Sequence, residues 1–502
     1  MHLLYTILFP LLGAVWLGVR PGMSRKGAGT FALACSLLAL ALACGSHGAQ
    51  WLLPWMPDAG MNLSFRVNGI SWLFLVLTGL VVSFAIAASP RNERAGRGYY
   101  ALILVMQSAL FGVFTARHFI PWFLCWEMTL IPSYLLIRLW GGGGAPRAAL
   151  RFFIMTLGGS AFLLVGFLAL QLSAGTMDFS ELAKLAANQQ LTVALARTFV
   201  ASGLSGHTLL TVVALAVFLG FAVKLPVVPF HAWLPAAYAE APTPVTMLLT
   251  GLLSKMAVYG LLVIFLPVFP EVLPSLAPLL SWLAAATVLL GALAALAQTD
   301  LKRLLAYSSV NHLGYCALAI AAAASMQGDR NALAAALSGT VLQAFNHGII
   351  ASTLFFGIGI MEQRGGGLRG LNDFGGLRAQ TPVFCGLFGL AVFASLGLPG
   401  LSGFVGEFLI FNGVFALTPG VAVLSVLGLL FTAVFLLRMM RKVFHGPFKP
   451  ALAKWPDLSN GERLLFGLAT ALIVIPGLFP QALLRFANPG IVELLDLLRP
   501  IP

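Results

Sequence analysis

Charged residues and cysteines are both scarce in this chain. Asp, Glu, Lys and Arg make up 9% of the 502 residues, whereas a typical soluble domain carries about 25%. The five cysteines each stand alone in or beside an apolar segment: Cys35, Cys44, Cys125, Cys316 and Cys385. None of them forms a CxxC motif or a Cys/His spacing typical of a metal site. The composition excludes a soluble globular domain, and it predicts no iron–sulfur cluster, haem or zinc site in this chain.

Long apolar runs take up most of the sequence, which is 59% hydrophobic with a mean hydropathy of +0.95. Because a helix needs about 20 apolar residues to cross a bilayer, these runs predict an all-α polytopic membrane protein with about fourteen transmembrane helices. The expected helix cores are 3–19, 28–45, 68–88, 98–116, 119–138, 149–172, 208–224 (broken, continuing to about 238), 243–266, 275–297, 301–324, 331–361, 381–411 (interrupted), 416–440 and 463–485. The run 3–19 lacks a basic flank and a small-residue cleavage site, which favours a membrane helix over a removed signal. The polar connection at about 173–206 predicts a short interfacial helix within DFSELAKLAANQQ.

The net charge of +13 comes from Lys and Arg scattered through the loops, a distribution that disfavours nucleic-acid binding. The loops after odd-numbered predicted helices hold most of these residues: Arg20, Arg25, Lys26, Arg91, Arg94, Arg97, Arg147, Arg151, Lys302, Arg303, Arg364, Arg369, Arg378, Arg441, Lys442, Lys449 and Lys454. The loops after even-numbered helices hold few: Arg66, Arg117, Lys184, Arg197 and Arg330. The positive-inside rule then places the odd-to-even loops in the cytoplasm. We expect an integral protein of a bacterial inner membrane with both termini on the non-cytoplasmic side.

A predicted helix break beside a buried lysine marks residues 208–260. Pro226 removes a backbone donor and disfavours the helical conformation of the residue before it, so the helix that carries Lys224 should break there. The segment 397–403, which contains Pro399, is a counterpart five predicted helices later. An odd offset reverses orientation, so we expect two inverted five-helix repeats, each with a discontinuous helix. Gly-rich interruptions can also be simple packing devices.

This repeat pattern divides the chain into four predicted parts. Helices 1–3 occupy residues 1–97, and the first inverted repeat, helices 4–8, occupies residues 98–266. The second inverted repeat, helices 9–13, occupies residues 267–440. A cytoplasmic loop and a last helix occupy residues 441–502.

Six titratable residues are predicted at bilayer depth: Glu127, Lys224, Lys255, His312, His347 and Glu407. A charged side chain at this depth is costly unless it is paired, hydrated or neutralised. Lys255 has about a dozen apolar or small residues on each side and therefore cannot reach the interface by snorkelling. Because a lysine whose partner moves can change between charged and neutral, the set predicts a path that holds and passes protons. The alternative is a static buried Glu127–Lys224 ion pair that serves only packing specificity.

Three further polar residues lie near the predicted helix ends. His231 and Glu240 bracket the connection between the two lysine-bearing helices and are candidates for a channel mouth. Ordinary hydrated loop residues remain the favoured interpretation of both. Arg138, near the end of the fifth predicted helix, is expected to snorkel to the headgroups.

Five long motifs resemble the antiporter-like membrane subunits of respiratory complex I. In the order of that family, they are CWEMTLIPSYLLI, FAVKLPVVPFHAWLPAAYAEAPTPV, LLSKMAVYGLL, QTDLKRLLAYSSVNHLGY and LPGLSGFVGEFLIF. The resemblance runs from about residue 68 to about residue 445 and so covers most of the chain.

The resemblance implies roles for the residues inside these motifs. Glu127 and Lys224 would form a coupled pair, and Lys255 would be the central relay. His312 and His347 would lie on the same polar axis. Glu407 would be the carboxylate of the discontinuous twelfth helix, where Glu points to the subunit M branch of the family because the sister subunits often carry Lys. Arg138 departs from the family, which usually has an uncharged residue there.

The resemblance also implies a function and a set of partners. The chain would be a proton-translocating subunit of an NADH:quinone oxidoreductase, without a redox cofactor of its own. Quinone, NADH, FMN and iron–sulfur clusters would belong to partner subunits, and adjacent antiporter-like subunits would be neighbours in the membrane. Two alternatives remain open: a subunit of a multi-subunit sodium/proton antiporter, and the same module in a membrane hydrogenase or a CO2/bicarbonate uptake complex. The six buried titratable residues disfavour a purely structural anchor.

Overall fold

The computed structural model describes residues 2–20, 22–56, 61–89 and 95–498. Within these ranges, 13 helices are long and apolar enough to cross a membrane. The two shorter apolar helices Pro382–Ser395 and Ser402–Leu417 make up one further, interrupted crossing. The prediction of a polytopic helical membrane protein is confirmed. Of the loop cations that predict its orientation, Arg91 and Arg94 lie outside the described residues.

The elements follow one another in chain order. The N-terminal part contains α1 (His2–Val19), α2 (Arg25–Cys44), β1 (Gln50–Met56), β2 (Met61–Arg66), α3 (Gly69–Ala88), α4 (Arg97–Thr115), α5 (Phe119–Met128), α6 (Leu130–Trp140), α7 (Ala145–Ala174), α8 (Phe179–Ala187), α9 (Gln190–Thr198) and α10 (Gly206–Lys224). The central part contains α11 (Leu234–Glu240), α12 (Thr243–Leu248), α13 (Ser254–Gly260), α14 (Leu266–Val268), α15 (Leu273–Ala297), α16 (Leu301–Ala324) and α17 (Arg330–Arg364). The C-terminal part contains α18 (Pro382–Ser395), α19 (Ser402–Leu417), α20 (Pro419–Met440), α21 (Asn460–Leu478) and α22 (Gln481–Leu498). Wider π-helical turns occur at Leu249–Leu253, Leu261–Phe265 and Arg441–His445, and 3₁₀ turns at Val200–Ser202, Leu377–Ala379 and Pro450–Leu452.

Short polar side chains start several of these helices. An N-cap side chain accepts a hydrogen bond from the first helical turn at Ser24, Asn68, Asp178, Ser205, Asp300, Asp329 and Ser459. At Ser459 the Glu462 side chain also accepts from the cap backbone, which completes a capping box. These caps satisfy backbone donors that an apolar helix start would leave unpaired.

Both predicted helix breaks are present. α10 ends at Lys224, and the chain resumes a helix only at Leu234. The indole Nε1 of Trp233 donates to the Val223 carbonyl at 2.9 Å, so a side chain satisfies an acceptor that the break exposes. The second break separates α18 from α19, and Asn346 Nδ2 donates to the Ser402 carbonyl at 2.7 Å beside it.

A third interruption, in the fifth span, was not predicted. α5 ends at Met128 and α6 begins at Leu130, with Thr129 in a turn between them. Pro132 explains this turn, because proline cannot donate to the carbonyl four residues earlier and its ring crowds that carbonyl. The Thr129 hydroxyl donates to the Trp126 carbonyl at 2.8 Å, and the Ser133 hydroxyl donates to the Thr129 carbonyl at 2.7 Å.

Two elements at one face of the molecule were also missing from the helix prediction. β1 and β2 form an antiparallel hairpin. The amphipathic helix α22 buries Ala487, Ile491 and Leu494. α22 packs on α3 and α17, and Glu493 pairs with Arg66 of β2 at 3.0 Å. The last crossing is therefore α21 alone, and it ends before the predicted residue 485.

The connection before α10 contains two short helices where one was expected. α8 buries Phe179 and Leu182, and α9 buries Leu191 and Leu195. Both helices therefore turn an apolar face inward, as an interfacial helix does.

The most enclosed helices lie at the centre of the molecule. In the apolar stretches of Thr243–Val268, Leu301–Ala324 and Arg330–Arg364, 94% of the residues are buried, against 22% for Asn460–Leu478. The central helices carry Lys255, His312 and His347, so these side chains lie within protein and away from lipid. This is the arrangement that polar groups at membrane depth require.

The predicted repeat boundaries fall close to helix ends. Residue 97 is the first residue of α4, and residue 266 opens α14, which continues to Val268. Residue 440 is the last residue of α20, before the π turn Arg441–His445. The division into inverted repeats itself stays a prediction.

Candidate functional site

Lys224 ends α10 at the first helix break and is almost completely buried. Its Nζ lies 4.0 Å from the centre of the Trp126 ring and donates to the Thr129 hydroxyl at 3.3 Å. An ammonium over an aromatic face at this distance is a cation–π contact. The last turn of a helix also favours a cation, because the helix dipole is negative there.

No direct salt bridge joins Glu127 to Lys224, and the coupled pair that the motif resemblance implies stays a prediction. Lys224 Nζ donates to the Thr129 hydroxyl. Oε1 of Glu127 is buried and has no hydrogen-bond partner among the described residues. Oε1 is therefore available to a hydrogen-bond donor in this arrangement.

Trp126 and Thr129 are site residues that sequence reasoning missed. They are three positions apart in the α5–α6 span and both contact Lys224, whereas ideal helix spacing offsets Glu127 from Trp126 by about 100°. The signal was present in the motif CWEMT, where an aromatic and a hydroxyl residue at this spacing flank the acid.

Lys255 lies in α13 between two π-helical turns and is completely buried. Its Nζ contacts the Thr250 carbonyl at 2.5 Å and His347 Nδ1 at 2.7 Å. Mid-helix π turns disturb the regular backbone ladder and occur frequently at functional sites. Here the wider turn leaves the Thr250 carbonyl available to the lysine five residues later.

The polar contacts continue from Lys255 through two histidines to Glu407. The rings of His347 and His312 have their centres 5.4 Å apart. His312 Nδ1 lies 3.2 Å from Glu407 Oε1, an ion-pair distance although not a linear hydrogen bond. His312 Nε2 lies 3.1 Å from the Ser395 hydroxyl. Four predicted site residues from four different helices thus form one contact series.

The second helix break shapes the surroundings of Glu407. Gln343 Nε2 donates to Glu407 Oε1 at 3.3 Å. Gly397 has a positive φ of +72°, and a Cβ there would lie 2.5 Å from Glu407 Oε2. Only glycine fits this backbone position without displacing the carboxylate. Ser395 and Gln343 belong to this environment, and no sequence pattern distinguishes them because each is an ordinary polar residue in an apolar run.

Pairs of hydroxyls line the helices between the two lysines. Tyr238 and Ser254 have their oxygens 3.4 Å apart, and those of Thr250 and Ser309 are 3.0 Å apart. All four residues are buried. Buried hydroxyls can both donate and accept, so they extend the polar environment of Lys255 toward α11 and α16.

Glu240 lies apart from this series, in a cluster of charges at the helix ends. Arg369 bonds to Glu240 at 3.2 Å and to Asp300 at 2.8 Å, and Lys302 bonds to Glu362 at 2.7 Å. Partial desolvation lowers the pKa of Arg369, but the nearby carboxylates outweigh it and hold that pKa above its ordinary value. Glu240 therefore joins α11 to the loop after α17, and it is not a freely hydrated residue.

His231 and Arg138 also lie outside the contact series. The half-buried His231 ring has its centre 6.2 Å from that of Tyr307, and its Nδ1 is buried without a hydrogen-bond partner among the described residues. A role for His231 or Glu240 at a channel mouth stays a prediction. Arg138 is exposed and lies over the Tyr134 ring at 5.6 Å, as a snorkelling side chain does.

Within the described ranges, no three or more His, Cys, Asp or Glu residues gather in a way that could hold a metal ion. The chemistry that the site does support is proton exchange. Amines, imidazoles and a carboxylate at these separations can each bind and release a proton.

Comparisons with known proteins agree on one family. The family described as NADH:quinone oxidoreductase/Mrp antiporter, TM matches residues 116–432, a range that includes all six titratable residues predicted at bilayer depth. NAD(P)H-quinone oxidoreductase chain 4 from a Synechococcus sp. is 38% identical over 499 residues, which cover 95% of this chain and 89% of that protein. NADH-quinone oxidoreductase subunit M from Escherichia coli is 35% identical over 457 residues, which cover 88% and 84% of the two chains.

A solved structure agrees with these relatives. A chain of respiratory complex I from Thermus thermophilus superimposes with a TM-score of 0.85 at 28% identity, and the match covers 99% of this chain and 100% of that one. This chain belongs to the NADH:quinone oxidoreductase/Mrp antiporter family of membrane proteins.

Proposed function

We propose that this chain translocates protons as a membrane-arm subunit of an NADH:quinone oxidoreductase of the complex I type. The observation that carries the proposal is the contact series from Lys255 through His347 and His312 to Glu407. The relatives at 38% and 35% identity are named as subunits of quinone oxidoreductases, which supports this host complex over a free-standing antiporter.

The series moves a proton by exchange between neighbouring groups. The Lys255 ammonium can give a proton to His347, whose Nδ1 lies 2.7 Å away. The imidazoles of His347 and His312 can each take up a proton at one nitrogen and release one at the other. His312 passes it to Glu407, 3.2 Å away, and protons enter or leave the subunit near this carboxylate as the charge state of Lys255 changes.

Glu127 and Lys224 control this transfer from the first half of the chain. Lys224 contacts the Trp126 ring and the Thr129 hydroxyl, and in the proposed mechanism the Glu127 carboxylate is its second partner. A move of the ammonium between them changes the electric field in the enclosed interior, where charges interact strongly because the dielectric constant is low.

Redox chemistry in partner subunits drives the cycle. This chain binds no electron carrier in the proposed mechanism, and NADH, FMN, iron–sulfur clusters and quinone belong to other subunits. Adjacent antiporter-like subunits and the lipid bilayer surround it. The host membrane is a bacterial inner membrane, with both termini on the non-cytoplasmic side, as the loop charges predict.

Replacement of Lys255 by Arg tests the proposal. A guanidinium stays protonated, so the variant should keep electron transfer but lose proton transfer through this subunit, which lowers the proton-to-electron ratio of the reconstituted complex. Lys255→Ala should behave in the same way with little cost in folding, because it removes a desolvated charge.

The matched control is Lys302→Arg. Lys302 is also buried, but its ammonium is paired with Glu362 outside the contact series, and the arginine variant should pump at the normal ratio. A normal ratio in Lys255→Arg would rule out Lys255 as the relay.

A further inference from the structure

We propose that Trp126 is a positioning residue, which holds the Lys224 ammonium in a second position away from Glu127. This inference rests on the proposed function, because it assigns a regulatory contact to the same proton path. The contact is direct, since Nζ lies 4.0 Å from the centre of the Trp126 ring. Thr129 completes this second position by accepting a hydrogen bond from Nζ at 3.3 Å.

The local geometry separates the two positions of the lysine. Trp126 and Thr129 both contact Lys224 from the α5–α6 span, and in an ideal helix Glu127 is offset from Trp126 by about 100°. The Thr129 hydroxyl is oriented by its own bond to the Trp126 carbonyl at 2.8 Å. In this proposal Lys224 has a neutral site at Trp126 and Thr129 and an anionic site at Glu127.

Trp126 is itself held firmly. It is 1% exposed, and its indole Nε1 donates to the Ser160 hydroxyl of α7 at 3.0 Å. The Trp122 ring packs against it at 4.8 Å and the Phe221 ring of α10 at 5.8 Å. A ring fixed from three sides can present its face to the lysine without rearrangement when the ammonium arrives.

Glu127 supplies the second observation. Its Oε1 is buried and has no hydrogen-bond partner among the described residues. A buried carboxylate oxygen without a donor is costly, so the state in which Trp126 holds the lysine leaves Glu127 ready to accept a proton or to recapture the ammonium. The cation–π contact thus sets how often the Glu127–Lys224 pair is open.

Fluorinated tryptophans at position 126 test this proposal in the intact complex. Site-specific incorporation of mono-, di- and trifluorotryptophan withdraws electron density from the ring face with little change in shape. The proton-pumping rate should fall stepwise with each fluorine, by roughly fivefold across the series, the factor that a cation–π contact of this kind supports. Trp122 is the matched control, because it packs on Trp126 and makes no cation–π contact with Lys224.

Two substitutions complete the test. Trp126→Phe keeps an aromatic face and should retain part of the pumping that Trp126→Leu loses, although both variants lose the bond to Ser160. Thr129→Val keeps the shape of the side chain and removes the hydroxyl contact, so it should lower the pumping rate as well.

The outcomes separate this inference from the proposed function. Unchanged pumping throughout the series at position 126, with pumping abolished in Lys224→Ala, would overturn the role of Trp126 alone. Equal losses at positions 122 and 126 would reduce Trp126 to a packing residue and overturn it too. Normal pumping in Lys224→Ala would remove Lys224 from the proton path, and the inference would fall with it.

Discussion

His312 Nδ1 of α16 lies 3.2 Å from Glu407 Oε1 of α19. The two side chains are 3% and 7% exposed, so neither charge state is stabilised by bulk water. When the pair holds one exchangeable proton, either the imidazole or the carboxylate carries it. The pair is neutral overall in both states. This contact makes the second helix break the end point of the buried series.

Replacement of His312 by Gln should interrupt that series. Glutamine can still form hydrogen bonds but cannot bind a proton and release it, so the complex should transfer electrons with a reduced proton-to-electron ratio. His445→Gln is the control, because His445 lies in the π turn after α20. Proton uptake by inverted vesicles, measured with the electron-transfer rate, gives the ratio. A normal ratio in His312→Gln would contradict a relay through this imidazole.

Replacement of Gly397 by Ala should displace Glu407. The added methyl group would lie 2.5 Å from Oε2, and the positive φ of +72° strains any other residue, at a cost of about 1–3 kcal/mol. Gly386→Ala is the control, since a Cβ at this position of α18 meets nothing within 4 Å and a helical Gly→Ala change gains roughly 0.5–1 kcal/mol. The thermal unfolding temperature should therefore fall for Gly397→Ala and stay unchanged or rise for Gly386→Ala. Pumping should fall only for Gly397→Ala. Equal behaviour of the two would show that the break does not constrain the carboxylate.

Replacement of Glu127 by Gln should abolish pumping through this subunit and leave assembly intact. Assembly should survive because Oε1 has no hydrogen-bond partner among the described residues, so the change removes a charge without breaking a hydrogen bond at that oxygen. Glu181→Gln serves as the control at an exposed position near the start of α8. The amount of assembled complex and its pumping are measured together. Loss of assembly in Glu127→Gln would favour a structural ion pair instead.

The orientation of the chain can be tested by cysteine labelling with a membrane-impermeant reagent. In right-side-out vesicles, a cysteine introduced at His2 and the exposed native Cys44 should both be labelled. His2 begins α1 and Cys44 ends α2, and both positions lie at the predicted non-cytoplasmic face. A cysteine introduced at His445 should be protected until the vesicles are opened. Labelling at residue 445 together with protection at residue 2 would reverse the assignment.

Much of the fold follows from local sequence. Apolar length predicts the crossings, and proline marks the breaks after Lys224 and before α19, because its effects act on neighbouring backbone groups. The hairpin was missed because the sequence around QWLLPWM has a proline inside its apolar run, which disfavours a strand. α22 was missed because its first residues continue the apolar pattern of α21. The turn at Thr129 was missed because the length of the apolar run predicts one continuous helix, and apolar length takes no account of the effect of Pro132 on that helix.

The sequence by itself determined the membrane class, the approximate spans, the two main breaks and the set of six titratable residues within the apolar segments. These follow from composition and from constraints within a few residues, because hydrocarbon accepts only long apolar helices with satisfied backbones. Only the tertiary structure decided which of these groups touch. Lys255 meets His347 across 92 positions of sequence, and Lys224 meets Thr129 across 95. Such contacts depend on how each helix is rotated and packed against its neighbours, and no local pattern encodes that rotation. The contacts of Lys224 with Trp126 and Thr129 could therefore be seen only in the folded chain.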